Sequence, residues 1–214
     1  MPKLRVHNFT ISLDGYGSGT DQRADAPFGD GVEGLHDWLI ATRSWRAAHG
    51  EPGGEEGVDD EQVARGEENV GATIMGRNMF GPVRGEWPDG SWTGWWGEDP
   101  PFHHDVFVLT HHPRPSLVLD GGTTFHFVSD TPEVVLARAF EAANGKDVRL
   151  GGGVATVREF LRRGLVDDLH LVITPIIAGA GEHLFEDDAL RGYRVVEMVG
   201  SAAVSHVHLA RAER

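Results

Sequence analysis

The sequence predicts a three-layer α/β/α domain built on a central mixed, mostly parallel sheet. Three observations predict it. Between residues 72 and 174, short apolar runs alternate with helix-period segments, the pattern of strands joined by crossover helices. Runs such as Ala72-Thr73-Ile74-Met75 are apolar throughout, as strands covered on both faces are. Two further apolar runs, 193–199 and 203–209, follow each other with no helical segment between them and read as a closing antiparallel hairpin.

The elements follow in order. Residues 4–12 carry β-branched and aromatic side chains up to a Gly-rich break at 14–19, and read as a first strand. In 32–45, Leu35, Trp38, Leu39 and Trp45 recur at three-to-four spacing, which predicts one amphipathic helix. Segment 51–68 holds eight acidic residues and one basic residue, and reads as a solvated, charged insertion ending in a short helix near 61–69. Strands are predicted at 72–75, 106–110, 124–128, 148–150 and 168–174, with helices at 132–143 and 154–163. Four of the six Trp lie within 87–101, a Pro- and Gly-rich loop expected to fold back onto a groove or a partner. The 214 residues are read as one domain, with an acidic insertion near 50–68 and a Trp-rich loop near 82–104.

Composition excludes several functions. The net charge of −14 repels nucleic-acid phosphates and anionic lipid, so neither is expected as a partner. No Cys is present, which removes disulfides, thiolate metal sites and cysteine nucleophiles. No apolar run approaches a membrane span, and the first residues lack a signal peptide's apolar stretch, so a cytoplasmic location is expected. Of the twelve His, His206 and His208 share a strand face, but no third ligand is evident, so no metal site is predicted.

The chemistry-bearing motifs sit at predicted strand ends. Gly151-Gly152-Gly153 lies between a strand and a helix, where missing Cβ atoms let amides approach a phosphate and the helix dipole favours an anion. Tight strand-to-helix packing is the alternative. The spacing is neither G-x-G-x-x-G nor a P-loop. Arg77 follows the 72–75 run and a Gly, where a guanidinium can reach a ligand phosphate, and another strand ends at Thr110-His111-His112.

In these motifs the chain resembles the dihydrofolate reductase family, in the branch of the reductase domain of the bifunctional riboflavin-biosynthesis deaminase-reductase. The resemblance rests on Ser12-Leu13-Asp14-Gly15, Met75-Gly76-Arg77 and Gly151-Gly152-Gly153. It continues through Gly164-Leu165-Val166-Asp167-Asp168-Leu169 and the stretch from Thr174-Pro175 to Ala180-Gly181. It implies a dihydrofolate reductase-like sheet of about eight strands and an NADPH-dependent reductase acting on a small heterocyclic or carbonyl substrate, pterin- or aminopyrimidine-like. By resemblance, Gly76, Arg77 and Asn78 hold the 2′-phosphate and pyrophosphate side, Thr110 and His111 flank the adenine ribose, and Gly151, Gly152, Gly153, Val154, Ala155 and Thr156 grip the pyrophosphate. The backbone near Thr10 and Leu13 faces the nicotinamide carboxamide.

Hydride transfer needs a proton from an acid near the sheet's mouth. Asp14 is the first candidate and Asp37, in Leu35-His36-Asp37-Trp38, the second; a turn residue and a solvated helix face are their respective alternatives. His36, Trp38, Trp92 and Trp95 are the expected substrate-pocket residues. Riboflavin-pathway reductases commonly place a Glu before the paired glycines, where this chain has Leu150 or Gly151, so the substrate does not follow from the resemblance. A homodimer is expected, and a catalytically silent NADP(H)-binding or ligand-sensing module is the alternative function.

Overall fold

The computed structural model describes residues 1–81, 85–87, 91–185 and 188–212. In chain order the strands and helices are β1 Leu4–Ile11, β2 Tyr16–Ser18, α1 Asp37–Ile40, α2 Arg43–Ala48, α3 Val58–Glu67, β3 Val70–Gly76, α4 Arg77–Phe80, β4 Asp105–Leu109 and β5 Leu117–Val118. They continue as β6 Thr124–Val128, α5 Pro132–Ala142, β7 Asp147–Gly152, α6 Val154–Arg162, β8 Asp168–Ile173, β9 Glu182–His183, β10 Tyr193–Gly200 and β11 Ser205–Arg211.

Nine strands form one sheet in the order β10-β11-β8-β1-β7-β3-β4-β6-β5. The six central strands β8 to β6 run parallel, and antiparallel partners close both ends: β11 and β10 beyond β8, β5 beyond β6. The mostly parallel three-layer architecture read from the sequence is therefore present, with an antiparallel strand also at the β5 edge. Alternation along the strands sorts side chains onto two faces. Ile74, Phe107, Leu150 and Leu171 pack with Val135 and Ala139 of α5 and Val157 and Phe160 of α6. Met75, Val106 and Val108 turn to the opposite face, under Phe80 and the half-buried Trp87, Trp92 and Trp96. Val172 turns that way too, under Trp38 of α1 and Val63 of α3.

Two local readings are corrected. The helix predicted over 32–45 is two short helices, because the Thr42 side chain accepts from the Trp45 amide and starts a new N-terminus. The acidic segment is more than a solvated excursion: α3 buries Gln62, Val63 and Gly66 against the sheet, and Asp59 of its first turn reaches the buried His206 ring. Parts of the Trp-rich loop, 82–84 and 88–90, lie outside the described residues. No helix among the described residues is long and apolar enough to cross a membrane.

Candidate functional site

Parallel strands all present their carboxyl ends to one edge, and crossover connections leave a crevice there. In this chain the tips of β1, β7, β3 and β4 open into a cleft of about 1100 Å³, large enough for a dinucleotide and a small second ligand. It runs from Phe28, His36, Leu39 and Trp45 on the β1 side to Trp95, Trp96 and Phe102 beside β4.

Its centre is built from glycines. β7 ends in Gly151 and Gly152, and Gly153 stands at the N-cap of α6 with no capping side chain, so the first-turn amides of that helix are open to a ligand. Gly152 has φ 138°, a conformation that L side chains rarely adopt. On the neighbouring strand, a Cβ at Gly76 would lie 2.2 Å from Thr156 Oγ1 and 3.4 Å from the Gly153 amide nitrogen. With Thr156 in this rotamer, the close approach of α4's start to α6's start leaves no room for a Cβ at residue 76. Within the triplet, a Cβ at Gly151 or Gly152 would lie 3.2 or 3.4 Å from Met79 and one at Gly153 would meet nothing within 4 Å, so the tightest contact at this sheet edge is the one at Gly76.

Arg77 follows at once. Its Nη1 donates to the Gly85 carbonyl and its guanidinium lies 3.7 Å from the centre of the Trp87 ring. Its Nε and Nη2 are buried with no hydrogen-bond partner among the described residues. Buried unpaired guanidinium N–H groups are costly, and an anionic oxygen is the acceptor that suits them. Asn78 Nδ2 donates to Gln22 Oε1 at 2.8 Å, tying the loop after β2 across this end of the cleft. Thr110 is buried at the β4 tip, its Oγ1 accepting from the His112 amide at 3.0 Å, and His111 is exposed beside it.

Of the residues read from the sequence, Thr10, His36, Gly76, Arg77, Asn78, Trp95, Thr110, His111 and the run 151–156 all line this one cleft. Leu13, Asp14, Asp37, Trp38 and Trp92 are not among its lining residues. The Leu13 amide is taken by the Ile176 carbonyl at 2.8 Å. Asp14 accepts from Ser12 Oγ at 2.6 Å, the Ala178 amide at 2.9 Å and the Gly179 amide at 2.7 Å. Those bonds, the Ser12 hydroxyl foremost, hold its carboxyl at about 2, so it is a fixed acceptor clamping the 176–179 loop to the end of β1. Asp37 is exposed in the first turn of α1. Trp38 is buried behind the wall, its Nε1 donating to Thr10 Oγ1 at 3.2 Å. Trp92 Nε1 donates to the Phe80 carbonyl at 2.9 Å, which fixes it in the aromatic packing under the sheet. His36 stacks on Phe28 with ring centres 4.1 Å apart, and burial lowers its pKa to about 4, so the ring is neutral at pH 7. Sequence reading missed Phe28 and Gln22, because a loop residue carries no periodic signal.

The fold and cleft together define an α/β domain with a glycine-lined cleft and an uncapped helix start at its strand tips. The chain belongs to the RibD C-terminal domain family, which it matches over residues 2–209. Among solved structures it is similar to a putative riboflavin biosynthesis protein from Shewanella sp. PV-4, with TM-score 0.61 and 21% identity over 99% of each chain. It is also similar to a diaminohydroxyphosphoribosylaminopyrimidine deaminase/5-amino-6-(5-phosphoribosylamino)uracil reductase from Thermotoga maritima. There the TM-score is 0.51 and the identity 14%, over 99% of this chain and 57% of that one. At such identities the likeness is one of fold. A 43-residue stretch is 44% identical to the uncharacterized protein YyaP of Bacillus subtilis (strain 168), covering 20% of this chain and 23% of that protein.

Proposed function

We propose that the protein is an NADPH-dependent reductase that delivers hydride to a small heterocyclic or carbonyl substrate, pterin- or aminopyrimidine-like. One observation carries this reading: two adjacent strand tips, those of β7 and β3, bring the 151–153 glycines, Gly76 and Arg77 to one cleft, with two buried guanidinium nitrogens that have no acceptor among the described residues. Membership in the RibD C-terminal domain family supports a reductase role.

The residues present fit NADPH. The open amides of α6's first turn, with the backbone of Gly151 to Gly153, suit a diphosphate. Nε and Nη2 of Arg77 suit a phosphate monoester on the adenosine ribose, which favours NADPH over NADH because a bare hydroxyl leaves that cation unpaired. Thr110 and His111 line the same cleft, which suits them to flank the ribose. When bound, the dihydronicotinamide supplies the hydride. The chain's part is orientation: Thr10 is held by Trp38, and the Phe28–His36 stack offers a flat wall for a planar substrate.

NADPH oxidation with a panel of pterin, aminopyrimidine and quinone-like acceptors tests the activity; turnover on none of them, with NADPH bound, contradicts it. That result would support the second reading, a silent NADP(H)-binding or sensing module, which is favoured by the position of Asp14 and Asp37 outside the cleft lining. A homodimer is proposed as well: edge strand β10 exposes Val195, Val196 and Met198. Light scattering at micromolar concentration checks it, and a monomer mass contradicts it.

A further inference from the structure

We propose that His7, His170 and His208 form a binding site for a divalent transition metal of the zinc class, on the sheet face covered by α3. The site is independent of the cofactor reading above.

The strand order creates it. β1, β8 and β11 are neighbours, and His208 stands directly opposite His170 in the antiparallel register. Leu169 and Leu171 point into the α5–α6 core, so His170 faces the other way. In β1 an irregularity between Val6 and Phe9 inserts Asn8, with φ 58°, and sets His7 beside His170. His7 Nδ1 and His170 Nδ1 are 3.3 Å apart, and one nitrogen from each of the three rings lies within 4.8 Å of the others. Two nitrogens bound to one tetrahedral zinc at its usual bond length sit about 3.3 Å apart, so the first pair already stands at ligand spacing. His208, stacked on His170 with ring centres 4.0 Å apart, is the third ring of the set.

The outer nitrogens are held as ligand histidines require. His208 Nε2 lies 2.8 Å from Gln62 Oε1, so it donates there and leaves Nδ1 as the inner lone pair. His170 Nε2 donates to His206 Nδ1 at 3.0 Å, and His206 Nε2 in turn donates to Asp59 Oδ1 at 2.8 Å. This fixes His170 Nδ1 as an acceptor facing His7. The Asn8 amide, 3.3 Å from that nitrogen, is the contact the ion would replace. Asn8 Oδ1 is buried without a partner among the described residues, an oxygen suited to a fourth ligand or to an ion-bound water. A groove whose lining includes the Lys3, Arg5 and Arg65 cations with the Glu68, Asp147 and Asp168 carboxylates reaches both His7 and His208.

The test uses the untagged full chain, stripped with chelator and titrated with Co²⁺. One Co²⁺ per chain is expected, with the intense visible absorption of a four-coordinate ion, displaced by Zn²⁺. Zn²⁺ is expected to raise the thermal midpoint by binding only the folded chain. His7→Asn and His208→Asn should each weaken binding by about tenfold or more, and the exposed His103→Asn should not. No visible band at saturating Co²⁺ with no Zn²⁺ shift of the midpoint overturns the proposal and leaves a neutral hydrogen-bonded histidine core. That outcome is read on the wild-type chain, so it stands even if a variant fails to fold. Binding unchanged in both variants also overturns it.

Discussion

A Cβ on Gly76 would run into Oγ1 of Thr156 and lie 3.4 Å from the Gly153 amide nitrogen, so the end of β3 and the first turn of α6 are packed closely at a glycine. This contact sets the arginine of one helix start beside the open amides of another. The proposed phosphate cradle is thus a packing consequence of two adjacent strand tips.

Gly76→Ala is therefore expected to push the two helix starts apart. Overpacking of this kind costs about 1–3 kcal/mol, and NADPH affinity should fall about tenfold or more while far-UV circular dichroism is retained. Unchanged affinity in a folded variant would separate the cradle from this contact.

The two carboxylates first considered as acids should behave differently from each other. Asp14→Asn weakens three bonds that hold the 176–179 loop and should lower the thermal midpoint. Asp37 is exposed and outside the cleft lining, so Asp37→Asn should change kcat by less than about twofold. A large kcat loss in Asp37→Asn with an unchanged melting curve would restore it as a proton donor.

Acid should destabilise the fold in a definite window. Burial lowers His7 to about 3 and His36, His104 and His208 to about 4, whereas the unfolded chain protonates near the ordinary histidine value of about 6.5. Between those values the unfolded state binds more protons, so stability is full above that value and falls as pH drops from there toward 4. Asp14 acts lower: its contribution is present above the ordinary carboxylate value and is lost as pH falls toward about 2. Urea unfolding at pH 7, 6 and 5 checks the histidine window; a midpoint that does not decline contradicts neutral buried rings.

Much of the frame was legible because it depends on local pattern. The strand at 124–128 is β6 to the residue, and the helix predicted at 132–143 is α5 one residue shorter. The motifs at Gly76-Arg77 and 151–153 were legible as strand-end chemistry, and the sheet order makes them neighbours. What escaped depends on tertiary context. The break at Thr42 competes with an unbroken apolar stripe, and β2, β5 and β9 are too short to leave a period. Asp14's role depended on amides at 178 and 179, far along the chain. His206 and His208 were visible as a strand pair, but His7 and His170 join His208 only because β1 and β8 lie beside β11 in the sheet.

The most direct test of the central claim is tryptophan-fluorescence titration of the wild-type chain and Arg77→Ala with NADPH and NADH, since Trp95 and Trp96 line the cleft. Wild type should prefer NADPH, and the variant should lose that preference through an affinity drop of about tenfold or more for NADPH alone, as expected for a lost charge-assisted hydrogen bond. Absence of binding by either dinucleotide, or a preference that survives in Arg77→Ala, would contradict the account.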